Sequence, residues 1–280
     1  MSHPSPNPDF SHIPPQKLVH GVKTEQDILD YEPGEVVDIA LQALQNDNIK
    51  LVEWRALLYR RMNVPVHPLI VTHPHQNYSY LVPDDCLESA SIILASLGLP
   101  PSPPSRLALK STGDFSAQGR FHRITQTTLI SGVQHLILYP LSFSTLSFLE
   151  TTLEFPYHVE TLHRCTSIYV PRIPAVYASI IRMMLKYPQY CSTRTRLESD
   201  LSELVGYNLQ GLECGYVDPE DDKLWQAMHI EQRISAAVCL VLQWSCDQAW
   251  REGEGWIGDA LGAVIQGNVD IGDLPHKSSS

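Results

Sequence analysis

Three histidines crowd a short, proline-bearing stretch: His67, His73 and His75, around Pro68 and Pro74. On a strand, His73 and His75 would face the same way, and two imidazoles with a third ligand could hold zinc. No Glu completes an H-E-x-x-H arrangement and the prolines mark a loop, so a surface cluster is the preferred reading. Lys110, Arg120, His122 and Arg123 flank the glycine-bearing stretch Ser111 to Gly119. Exposed amides in a flexible loop beside cations suit a phosphate or a carboxylate. No G-x-x-x-x-G-K-[ST] pattern is present, so a solvated inter-strand loop is preferred over an anion site.

Asp84 and Asp85 follow Pro83 at the start of an apolar helical pattern and read as helix-capping acids. Glu220–Asp222 and Glu252–Glu254 lie in charge runs typical of solvated helix starts. No G-x-S-x-G elbow occurs, and no cysteine stands in a nucleophile context. The run Pro101-Ser102-Pro103-Pro104-Ser105-Arg106 fits P-x-x-P-x-R, a polyproline docking pattern, though a stiff spacer is the preferred reading. Six cysteines are scattered without a C-x-x-C pair. Cys239 and Cys246, seven apart beside Ala236 and Leu242, are expected as buried packing on one helix face rather than metal ligands. Trp225, Trp244, Trp250 and Trp256 concentrate in the back half, as rings of a core or of a helix–helix contact do.

The 280 residues are 43% hydrophobic, enough for a sizeable core, and carry a formal charge of −11. That charge repels nucleic-acid backbones and anionic membranes. No cationic stretch leads into an apolar run at the start, no Arg precedes Arg55, and no apolar run is long enough for a bilayer. A soluble cytoplasmic chain is expected.

Residues 1–30 read as a disordered lead-in and 269–280 as a disordered tail. Between them, Val36, Val37, Ala40, Leu41 and Leu44 recur at helical spacing. Strands are expected near 49–54, 68–72, 78–82, 135–139 and 167–170, and helices over 56–62 and 87–97, the second ended by Gly98. From Pro171 the period turns helical, with further helices near 176–185, 197–205, 231–244 and 256–266. An α/β domain over 31–170 and a helical subdomain over 171–268 follow, sharing one core because the strands need helices to cover them.

Several short motifs punctuate this order. They are Val52-Glu53-Trp54-Arg55-Ala56-Leu57, then Asn63-Val64-Pro65, then Asn77-Tyr78-Ser79-Tyr80-Leu81-Val82-Pro83-Asp84-Asp85. Tyr177 to Arg182, on through Leu201, Leu204 and Tyr207, follows in the helical half. On these residues the chain over 35–100, and more faintly over 171–210, resembles the minimal nucleotidyltransferase fold, within it a family of uncharacterised fungal proteins. The resemblance implies an α+β fold: a nucleotidyltransferase-like sheet with flanking helices, then a helical C-terminal part. It also implies two carboxylates at spacing two on one strand, holding the metal that neutralises a triphosphate. Those positions fall on Asn77 and Ser79, which are neutral, so no metal or other cofactor is expected. The small residues that let phosphates approach the backbone give way to Arg55. Trp54, Arg55, Lys110, Arg120, His122 and Arg123 remain as candidate contacts for an anion or ligand. The expectation is a non-catalytic protein that binds a nucleotide or a protein partner. Two alternatives stand beside it: an active, magnesium-dependent transferase using Asp84 or Asp85, and a helical scaffold or homodimer.

Overall fold

Helix α1 (Pro33–Asn46) starts on a proline, whose fixed φ suits a first turn, and buries Val36, Val37, Ala40, Leu41 and Leu44 completely. The computed structural model describes residues 27–65, 77–129, 132–157, 164–213, 215–218 and 220–275. After α1 come β1 (Val52–Trp54), α2 (Ala56–Arg61), β2 (Tyr78–Val82) and α3 (Leu87–Ser96). Gly98 lies past the end of α3 at φ 93°, a conformation that a side chain would strain. The strand expected over 68–72 falls outside the described residues.

Six strands form one mixed sheet in the order β3-β4-β2-β1-β6-β5, with β3 (Arg120–Arg123), β4 (His135–Pro140), β5 (Thr151–Glu154) and β6 (Ile168–Pro171). β1 runs antiparallel to β2 and parallel to β6, and β2 runs parallel to β4. The register sets Trp54, Ser79 and Ile137 abreast on one face, and Glu53, Tyr80 and Leu138 abreast on the other. The proline-rich connector lies alongside β3: Pro101 bridges His122, and Ser102 N–H donates to the Phe121 carbonyl at 2.8 Å. This is the spacer placement.

The helices of the back half are α6 (Ile173–Met184), α7 (Ser192–Glu203), α8 (Asp222–Ala227), α9 (Ile230–Cys246) and α10 (Gly255–Ile265). A single buried cluster joins Leu41 and Tyr80 to Tyr177, Leu201, Val241 and Leu261, so the core runs across residue 171. Trp250 is buried and Trp244, Trp256 and Trp225 are half-buried; Trp244 packs on Tyr177 and Trp250.

Several expectations fail for identifiable reasons. The flexible loop expected over 111–119 is two helices, α4 (Arg106–Thr112) and α5 (Asp114–Ala117), the first capped by the Ser105 hydroxyl. Asp84 does not cap its own helix; its Oδ1 accepts the N–H of Ser142, in the 3₁₀ turn Leu141–Ser144. Cys239 and Cys246 are exposed, because α9 turns Ala237 and Val241 inward instead. Residues 27–30, expected in the lead-in, include the capped 3₁₀ turn Ile28–Asp30. The tail expected from 269 holds a further turn, Ile271–Asp273, with Leu274 buried behind it. Among the described residues, no helix is long and apolar enough to cross a membrane.

Candidate functional site

The chain turns from β1 into α2 at Arg55, whose φ of 56° and ψ of −123° belong to the region that glycine occupies without cost. The resemblance implied small residues here; the backbone has a conformation that suits a small residue but carries a long side chain. That side chain lies against Trp54, its guanidinium carbon 5.9 Å from the centre of that ring. Its guanidinium carbon lies 4.1 Å from the centre of the Phe115 ring, a cation–π contact. Phe115 in turn stacks on Trp54 at 5.9 Å between centroids, and Tyr139 and Phe143 meet Trp54 edge-on at 4.9 and 5.6 Å.

The charge of Arg55 is met from the helical half. Its Nη2 lies 3.1 Å from Asp200 Oδ2 on α7, and the Tyr59 hydroxyl donates to the same oxygen at 3.1 Å. Arg196 reaches Asp200 Oδ1 at 3.2 Å. Burial is the largest influence and works against the charge on Arg55, but Asp200 together with Tyr59, Tyr139 and Glu203 outweighs it and holds the guanidinium pKa above its ordinary value. Burial, then Asp200, push the Tyr59 phenol well above the usual tyrosine range. Arg55 Nη1 is buried without a hydrogen-bond partner.

Neither position at which the resemblance implied a metal-binding carboxylate, 77 or 79, is acidic. Ser79 is 5% exposed and abreast of Trp54. Asn77, at the mouth of β2, accepts the N–H of His135 through Oδ1 at 3.0 Å. Asp84 and Asp85 lie exposed beyond the strand end. Among the described residues, no group of three or more His, Cys, Asp or Glu is placed to hold a metal ion. His67, His73 and His75 lie outside the described residues.

The proposed anion group is not brought together. Strand alternation puts Arg120 and His122 on one face and Arg123 on the other, while Lys110 sits in α4. Arg120 points to Glu88 of α3 at 3.4 Å. His122 is buried between the Ser91 hydroxyl at 2.9 Å and the Leu99 carbonyl at 3.0 Å, and burial lowers its pKa. Arg123 donates to the carbonyls of Thr125 and Gln126. Trp54 and Arg55 alone keep a shared place.

Sequence reasoning missed Asp200, Tyr59, Phe115, Tyr139 and Phe143. For Asp200 a signal existed: it sits three residues after Leu197 and next to Leu201, on the stripe that α7 buries.

Two open grooves lie elsewhere. One, of about 740 Å³, runs between the turn after α7, the start of α9 and the end of α10, lined by Tyr216, Trp225, Ile234 and Val264 among others. The second, of about 620 Å³, opens beside α1, Leu153 and Tyr169.

Comparison with protein-family models, with curated proteins and with solved structures finds no match to this chain.

Proposed function

We propose that the chain is a catalytically silent, nucleotidyltransferase-like protein of the cytoplasm, a pseudoenzyme that acts by binding. The observation that carries this reading is the plug on the sheet face: Arg55, paired with Asp200, is laid on Phe115 and against Trp54, which the register sets abreast of Ser79. A magnesium–nucleotide complex needs carboxylates and room at that place. This strand offers an amide already in use and a buried hydroxyl. The order α1–β1–α2–β2–α3, with β1 antiparallel to β2, agrees with the resemblance read from the sequence. So does the glycine-like backbone of Arg55.

The test is an incorporation assay with labelled ATP and GTP in magnesium and in manganese, beside calorimetric titration of both nucleotides. The expected outcome is no transfer above background. Metal-dependent transfer that disappears in Asn77→Ala overturns the reading. Asn77→Asp with Ser79→Asp is the companion experiment. An aspartate at 79 is buried beside Trp54 and costs several kcal/mol unless it stays protonated, so restored activity is not expected.

A further inference from the structure

The sheet has an edge that the other described residues leave without a strand. β5 is the outermost strand beside β6. Arg172 N–H donates to the Glu150 carbonyl at 2.9 Å, which sets the phase of the ladder. Antiparallel pairing alternates, so residues 152 and 154 turn their backbone groups toward β6, and 151 and 153 turn theirs outward. The Thr151 N–H is taken by the Phe148 carbonyl. The Leu153 N–H and carbonyl face outward, and among the described residues no strand meets them.

The side chains at this edge are apolar and open. Leu149 is 89% exposed, Leu153 61% and Phe155 65%. Folded proteins usually guard an edge with lysine, proline or a covering loop, because an open apolar edge is a template for another strand. The one charge on β5, Glu154, is held by Arg61 Nη1 at 3.0 Å.

The second groove begins here. Leu153 and Tyr169 form its apolar wall, and Gln42, Asn46, Lys50 and Arg164 contribute polar groups. Among the described residues no carboxylate lines it, in a chain whose formal charge is −11. Arg164 pairs with Glu35 at 2.9 Å. Lys50 stands over the Phe148 ring at 5.0 Å and makes no ion pair among the described residues.

We propose that β5 and this groove accept an extended segment of a partner protein, which joins the sheet as a seventh strand. Backbone bonds to Leu153 hold it. One of its aliphatic side chains packs on Leu153 and Tyr169, and an acidic side chain meets Lys50. Strand addition of this kind draws affinity from main-chain bonds and selectivity from alternate side chains. A second copy of this chain is the weaker occupant, because two bodies of charge −11 repel. The inference stands apart from the catalytic reading: β6 separates the β5 edge from the plug on β1, and neither Arg55 nor Asp200 lines the groove.

The test pans random decapeptides on phage against the full chain, then titrates the enriched sequences as synthetic peptides. The expected sequences alternate aliphatic residues with Asp or Glu. Leu153→Pro removes the outward N–H at an edge position where proline is tolerated, and should weaken binding by about tenfold or more. Lys50→Glu should weaken it by about threefold or more, and raised salt should do the same to the wild type. Hydrogen exchange reads the contact without any substitution: the Leu153 amide should gain protection when peptide is added. Failure to enrich any sequence, equal binding to all three chains, or an unprotected Leu153 amide overturns the proposal. A concentration-dependent dimer lost in Leu153→Pro assigns the edge to a second copy and overturns it as well.

Discussion

Arg55 Nη2 lies 3.1 Å from Asp200 Oδ2, and this one pair fastens the turn between β1 and α2 to the middle of α7. The partners are 145 residues apart in sequence. Asp200 is almost fully buried and also receives Tyr59 and Arg196, so it is the hub of the contact.

Truncating the hub and truncating the plug should therefore differ. Asp200→Ala leaves the Arg55 charge buried without a counter-ion, and a loss of about 3–5 kcal/mol in denaturant unfolding is expected. Arg55→Gly removes the same pair but also releases a backbone strain of about 1–3 kcal/mol, and Asp200 keeps Tyr59 and Arg196. Its loss should be the smaller of the two. Equal losses from both would show that the positive φ at Arg55 stores no strain.

Two buried glutamates should show opposite dependence on pH. Glu53, under the sheet with Arg61, has its pKa raised above the ordinary 4.5, because burial outweighs the guanidinium. The folded state then holds a proton that the unfolded chain releases first. Its contribution is present at low pH and fades as pH rises from the unfolded value through the folded one. Glu150 is the reverse. Burial disfavours its charge, but hydrogen bonds from Arg251 and the Ser147 N–H, with Arg182 at 2.9 Å, prevail and lower the pKa. Its contribution is present above the unfolded value and fades as pH falls through the folded one. Relative to wild type, Glu53→Gln should gain stability as pH rises above about 4.5, and Glu150→Gln should recover stability as pH falls below it. Urea midpoints across this range check both; slopes of the same sign would refute the assignment.

What the sequence disclosed, and what it hid, follows from how each element is held. α1, α6, α9 and α10 bury a stripe of apolar residues, so their period is visible in one dimension. β2 is a run of aromatic and branched residues and is readable for the same reason. β3 is Arg-Phe-His-Arg and β5 is Thr-Thr-Leu-Glu. Such segments become strands because β4 and β6 offer them a ladder, which is a tertiary cause. α4 and α5 were hidden by glycine and serine, although Ser105 is an orthodox cap. At the site, the oddity of Arg55 was legible because the resemblance implied a small residue where a bulky one stands. Its meaning was not, since Asp200, Phe115, Tyr139 and Phe143 come from distant elements. The cysteines of α9 show the same limit: period alone defines a face but not which neighbour covers it.

The end of the described chain supplies the last prediction. Arg194, on α7, has no exposed surface. Its Nη1 donates to the carbonyls of Met184 at 2.8 Å and Pro275 at 2.9 Å, its Nη2 to that of Leu274 at 2.9 Å, and its Nε to Glu198 at 2.7 Å. One guanidinium thus closes the end of α6 and pins Leu274 and Pro275 against α7. Arg194→Met keeps much of the stem but strands three carbonyls and a carboxylate. Each buried orphan costs about 1–3 kcal/mol, so a loss of at least about 3 kcal/mol is expected. Cutting the chain after residue 269 removes Leu274 and two of the acceptors, and should be nearly as costly. In Arg194→Met, brief proteolysis should nick the chain near 270–275 while the wild type resists. A stable, protease-resistant chain ending at 269 would show that the clasp is incidental to the fold.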